Sequence, residues 1–191
     1  MIRTVLLEAS DEKAKSDFET LAKAAGFDDE RISEFEGEIA SHEAFATLAY
    51  CKETDAGEEK PVAFYVSRRV DKMPKEKIDE RFKKRMDAAR RWVEELKGKS
   101  DKELAREIAD SGNSFVLEEY RGKGIGRELY AAHERDAKKL GYSFKFEAAR
   151  APDEEGDAQR ILLKTGYLNL GELGYSGRRY NKPLYGFIKK L

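Results

Sequence analysis

The spacing of apolar positions changes repeatedly along the chain, and each change marks an expected element. Residues 2–8 are short, β-branched and leucine-rich, which predicts a strand. Ala14, Phe18, Leu21, Ala22 and Ala25 then recur at helical spacing, behind Ser10 as a cap and Asp11 and Glu12 in the first turn, and Gly26 ends the helix. A second helix over 29–35 puts Ile32 and Phe35 on one face. Residues 43–52 are apolar and small, a strand whose period does not resolve. Val62, Phe64, Val66 and Val70 alternate clearly, so the two strands predict a hairpin around a polar turn at 54–59.

The pattern changes character over 74–110. Pro74 suits the first position of a helix and Gly98 lies just past its end, with Ile78, Phe82, Met86, Ala89, Val93 and Leu96 forming one stripe on a highly charged helix. Ser100 and Glu103 have the spacing of a capping box, opening a shorter helix with Leu104 and Ile108 inward. The expectation is a helical hairpin that packs its stripe on a sheet, with Trp92 beside the stripe. A strand over 113–117, a glycine-rich turn and a helix with Ile125, Leu129, Ala132 and Leu140 inward come next. Tyr142, Phe144 and Phe146 alternate in a strand over 142–148, followed by a loop at 152–156 and a short helix over 158–165 stopped by Gly166. Residues 167–170 and 184–191 read as two closing strands, joined through a stretch with Gly171, Gly174 and Gly177.

Composition narrows the classes. The 191 residues suit one domain, and 40% hydrophobic with 10% aromatic residues argue for a folded core. With 37 basic and 38 acidic residues the formal net charge is -1, so no overall field selects nucleic acid or an anionic membrane. Cys51 is the single cysteine, which excludes an intramolecular disulfide, and His42 and His133 are the only histidines; no metal is expected. No apolar run reaches about 18 residues, no signal peptide is recognisable, and a cytoplasmic protein, monomer or homodimer, is expected.

The turn after residue 117 carries the chemistry. Alternating glycines leave backbone amides uncovered, and a following helix N-terminus presents N–H groups to an anion. Spacing separates the candidate motifs. Gly98-Lys99-Ser100 lacks the first glycine of a Walker loop, since Val93 stands there. Gly122 and Gly124 begin a dinucleotide fingerprint, but Arg127 occupies its third glycine position. Arg121-Gly122-Lys123-Gly124-Ile125-Gly126 matches Arg/Gln-x-x-Gly-x-Gly throughout. In this motif, in the strand and helix around it, and in Lys164-Thr165-Gly166-Tyr167, the chain resembles the GNAT superfamily of N-acetyltransferases.

That resemblance implies an α+β fold: a mixed, mostly antiparallel central sheet flanked by helices, here a single domain over 1–191 with the 74–110 hairpin inserted between the third and fourth strands. It implies acetyl-CoA as co-substrate, with its pyrophosphate on Arg121, Gly122, Lys123, Gly124, Ile125, Gly126 and Arg127 and its pantetheine arm paired with Val116 and Leu117. The implied reaction is direct attack of a primary amine, on a small molecule or a protein, on the thioester. Family members often carry a base on the strand before the loop, but 113–115 has no carboxylate, so Glu118 and Glu147 are the candidates. The usual proline after the pantetheine strand is Glu118 here; the usual tyrosine acid is Leu162, and the frequent asparagine is Glu155. Tyr175, Tyr180 and Tyr185 lie in the glycine-rich tail. The competing expectation is a non-catalytic acyl-CoA-binding or interaction module on the same fold. From its position before the strand, the insertion is expected to shape the acceptor side or an oligomer contact.

Overall fold

A computed structural model describes residues 2–52, 57–74, 78, 80–150, 158–175 and 183–191. The elements run β1 (Ile2–Leu7), α1 (Glu12–Ala24), α2 (Asp29–Ala40), β2 (Ala44–Cys51), β3 (Lys60–Arg68), α3 (Glu80–Trp92), α4 (Asp101–Glu107) and β4 (Ile108–Val116). They continue with α5 (Ile125–Lys139), β5 (Phe144–Arg150), α6 (Ala158–Lys164), β6 (Leu168–Tyr175) and β7 (Pro183–Lys190). The loop expected at 152–156 with Glu155, part of the turn at 54–59, and Gly177 and Tyr180 lie outside the described residues.

The chain divides into two compact units, one of residues 1–69 and 112–140, the other of 70–111 and 141–191. In the first, β1, β2, β3 and the end of β4 are neighbours in that order. β2 pairs antiparallel with both β1 and β3. α1 and α2 bury Phe18, Leu21, Ile32 and Phe35 against Leu48, Phe64 and Val66. Asp11 caps α1 by accepting from the Ala14 N–H at 2.9 Å, one residue later than the expected Ser10. α2 runs past the expected residue 35 because Ile39 is also buried.

α5 packs Ile125 and Leu129 with Ala49, Val62, Ala63 and Tyr65. In the middle of α5 His133 is fully buried and stacks between Phe45 and Tyr65, with centroids 4.5 and 4.2 Å away. The Thr47 hydroxyl donates to Asp136 Oδ2 at 2.8 Å and also lies 2.7 Å from His133 Nδ1. Its one hydrogen is already used, so the imidazole donates from Nδ1. Nε2 meets Ser67 Oγ at 2.9 Å, so a polar chain joins α5 to both β2 and β3.

In the second unit the order is β4, β5, β7, β6. β4 and β5 pair in parallel at Ile108↔Phe144 and Ala109↔Lys145, while β7 is antiparallel to both β5 and β6. Phe82, Met86, Ala89, Leu96 and Leu104 form the core of this unit with Phe144, Phe146, Leu170 and Ile188. The capping box at Ser100 and Glu103 is formed, and α4 ends at Glu107, so Ile108 belongs to the strand and not, as expected, to the helix.

β4 therefore begins well before residue 113. Gly112 is the reason it can continue through a polar stretch: a Cβ there would lie 2.0 Å from the Val66 carbonyl oxygen. Only glycine lets the two backbones approach so closely. Beyond it the Leu117 N–H donates to the Val62 carbonyl at 2.9 Å, so this part of β4 runs antiparallel to β3.

Candidate cofactor and active site

At the end of β4 a single helical turn, Glu118–Tyr120, buries the Tyr120 ring in the apolar cluster that also holds Ile125 and Leu129. That anchor turns the chain outward at Arg121. Gly122 (φ 73°) and Gly124 (φ 81°) then take left-handed conformations. Gly124 immediately precedes α5 and offers no side chain to cap it, so the first amides of the helix lack a side-chain cap. No atom lies within 4 Å of a Cβ built on Gly122 or Gly124, and a Cβ on Gly126 would meet only Val116, at 4.0 Å.

Exposed cations surround these amides. Arg121 donates from Nε to the Val116 carbonyl at 3.2 Å, Lys123 Nζ sits 5.0 Å over the Tyr120 ring, and Arg127 Nη2 lies 3.9 Å from Glu128 Oε1. Fixed amide dipoles, a helix N-terminus and cations converge on one open surface, the donor set a diphosphate requires. Val116, Leu117 and residues 121–127 thus form one continuous stretch within the first unit.

The proton-transfer candidates fall elsewhere. Glu118 is exposed in the turn between β4 and the glycines. Glu147 is buried on β5, with its Oε1 2.7 Å from Nζ of the equally buried Lys145. Leu162 is buried in α6 and offers no proton. Asp110 precedes the strand expected over 113–117 and in the structure lies on β4 in the second unit, directly after the last residue paired with β5. It is nearly fully buried, and Arg85 Nη1 contacts both of its oxygens, at 2.8 and 2.7 Å. The local signal for it was the apolar Ile108-Ala109 pair just before it.

Among the described residues no group of three or more His, Cys, Asp or Glu is placed to hold a metal ion, and no helix is long and apolar enough to cross a membrane.

A mixed, mostly antiparallel sheet whose strand passes through left-handed glycines into an uncapped helix defines an acyltransferase fold. The chain belongs to the acetyltransferase (GNAT) family, whose model matches residues 26–167. Its fold is similar to that of Arabidopsis thaliana NAA60 in complex with acetyl-CoA, at 12% identity and TM-score 0.65, covering 100% of this chain and 99% of that one. It is also similar to an aminoglycoside 6'-N-acetyltransferase complexed with coenzyme A (13% identity, TM-score 0.61, 98% and 96% covered). A chain of the NatC complex bound to Gag peptide and CoA matches at 12% identity and TM-score 0.62, with 100% and 98% covered. No curated protein sequence matches the chain.

Proposed function

We propose that this chain transfers an acyl group, in the simplest case acetyl, from acetyl-CoA to a primary amine by direct attack. The observation that carries the reading is the anion cradle at residues 121–127, where left-handed glycines and an uncapped α5 meet three exposed cations. Structures of similar fold hold acetyl-CoA or coenzyme A. The diphosphate sits on the amides and cations of this turn, and the pantetheine arm pairs with Val116 and Leu117. The acceptor is a small-molecule or protein amine, and the protein works in the cytoplasm as a monomer or homodimer. The chain is one family domain in which 74–110 is an insertion that shapes the acceptor side or an oligomer contact.

Amine transfer needs a group to take the ammonium proton; the thiolate, with a thiol pKa of about 8.5, leaves tolerably without an acid. Glu118 and Glu147 were the carboxylates suggested by sequence. Glu118 is the better supported of the two, because it is exposed directly before the glycine turn, in the same unit. Glu147 is buried with Lys145, and Asp110 is buried with Arg85 in the same way. In the proposed step the ammonium gives one proton to the base or to water, the amine forms a C–N bond to the thioester carbon, and the C–S bond breaks with its electron pair on sulfur. The nitrogen sheds its second proton as the amide forms, and that proton, directly or through water, neutralises the departing thiolate.

The test is turnover: the protein, acetyl-CoA and a panel of amines, following release of free thiol, with coenzyme A binding measured separately. Thiol release dependent on an amine is expected. Tight coenzyme A binding without turnover on any amine would replace this reading by a non-catalytic acyl-CoA-binding module.

A further inference from the structure

Where β4 runs into the glycine turn, the backbone polar groups can be followed one by one. The Leu117 N–H donates to the Val62 carbonyl at 2.9 Å, and the Leu117 carbonyl accepts from the Tyr120 N–H at 3.0 Å. Both groups of Leu117 are therefore satisfied within the first unit. In an antiparallel pair, residues that bond across to the neighbouring strand alternate with residues whose N–H and C=O point the other way. The Val116 carbonyl is thus turned away from β3, and it is the acceptor left for the pantetheine arm. The Arg121 side chain folds back over the turn and donates to that carbonyl from Nε, at 3.2 Å. Arg121 is also the first cation of the diphosphate cradle. One guanidinium therefore stands between the two parts of the cofactor that this stretch is proposed to bind.

We propose that Arg121 is a specificity-determining residue: it masks the Val116 carbonyl, and a donor that carries a diphosphate draws the guanidinium away and opens the strand to the pantetheine arm. This rests on the acyl-CoA reading above. The contact is exposed and at the long end of the N–H···O range, so it is readily given up. A phosphate oxygen is the stronger acceptor, because a charge-assisted bond is roughly twice as strong as a neutral one and two guanidinium N–H groups can meet a phosphate side by side. Diphosphate binding and arm binding are then coupled through one side chain. By linkage, each raises the affinity of the other by the same factor. The site thereby selects thioesters of coenzyme A over thioesters of pantetheine by more than the missing phosphate contacts alone.

The experiment uses the full chain and its R121M variant. Calorimetric titrations at constant ionic strength measure reduced pantetheine alone, pantetheine in saturating inorganic pyrophosphate, and coenzyme A, with thermal unfolding of both proteins alongside. Pantetheine is uncharged at neutral pH, its thiol pKa being about 8.5, so direct attraction between the two probes cannot produce the coupling. In the wild-type chain pyrophosphate is expected to raise pantetheine affinity by about 2- to 10-fold, the worth of one hydrogen bond. In R121M pantetheine alone is expected to bind more tightly by that same factor, and pyrophosphate to add nothing. Coenzyme A is expected to bind R121M about fivefold more weakly, because the lost phosphate contact outweighs the unmasked carbonyl. The two ligands thus respond to one substitution with opposite signs.

Unchanged or weaker pantetheine affinity in R121M overturns the proposal and leaves Arg121 a phosphate ligand only. No effect of pyrophosphate on pantetheine in the wild-type chain overturns it as well, while coenzyme A binding stands. If the wild-type chain binds no coenzyme A, the cofactor reading fails and the specificity role fails with it. Arg121 is exposed, so R121M is expected to keep the wild-type melting temperature. Should the variant not fold, the wild-type titrations with and without pyrophosphate decide the matter by themselves.

Discussion

Gly126→Ala separates binding from folding at the cofactor loop. Gly126 is the second residue of α5 and does not need a left-handed backbone, unlike Gly122 and Gly124. A methyl group there would touch only Val116, at 4.0 Å, an ordinary contact. Alanine also favours the helix over glycine by up to about 1 kcal/mol, less near a terminus. G126A is therefore expected to hold or raise the melting temperature, by at most about 2–4 °C. The same methyl covers the amide surface and narrows the space beside Val116, where the cofactor is proposed to run. Losing one charge-assisted contact costs about 1.5–3 kcal/mol, which is roughly a 10- to 100-fold weaker coenzyme A affinity.

The comparison variants give the opposite stability sign. G122A and G124A meet no atoms but force alanine into left-handed backbone, at about 1–2 kcal/mol each. Calorimetric titration with coenzyme A, alongside thermal unfolding, reads both quantities. A G126A protein with an intact melting temperature and unchanged coenzyme A affinity would refute the assignment of the diphosphate to this helix N-terminus.

Gly112→Ala puts a Cβ 2.0 Å from a backbone oxygen that no side-chain motion can clear, so it is expected to cost at least about 2 kcal/mol in a denaturant melt. Thr47→Val removes the hydroxyl that joins His133 to Asp136 in a buried site, an expected loss of about 1–3 kcal/mol by the same measurement. At the α4 cap, hydrogen bonds from Ser100, side chain first and then backbone, hold the Glu103 carboxyl below its usual range. A lowered folded-state value means stability present above the ordinary carboxylate pKa and lost as pH falls through the lowered one. Glu103→Gln is therefore expected to lower the melting temperature at neutral pH, with the difference closing below about pH 4.

Elements with one wet face were legible. α1 and α5 show their periods because solvent on one side keeps polar residues there; β3, buried throughout 62–67, was legible only through Val62 and Val66 around Phe64. β2 did not, because it is buried along nearly its whole length, between the helices α1 and α2 on one face and α5 on the other. The start of β4 was hidden for a different reason. Asp-Ser-Gly-Asn reads as a break, and only the approach of Val66 to Gly112 shows that it is strand.

The cofactor loop and the buried Arg85–Asp110 pair differ in the same way. An anion cradle is made by consecutive residues, so its glycines and cations stand together in the sequence and spacing alone separates it from other phosphate loops. A buried ion pair is defined by its surroundings, and the partner of Asp110 comes from a helix far back in the chain. Even so, Arg85 left a trace. It falls three residues after Phe82 and directly before Met86, on a stripe that otherwise faces the core. A cation in that place must find a buried anion or unfold the helix around it. Since β4 follows α4 directly and Asp110 is its only carboxylate, the pairing could have been argued from the stripe once Ile108-Ala109 was read as strand.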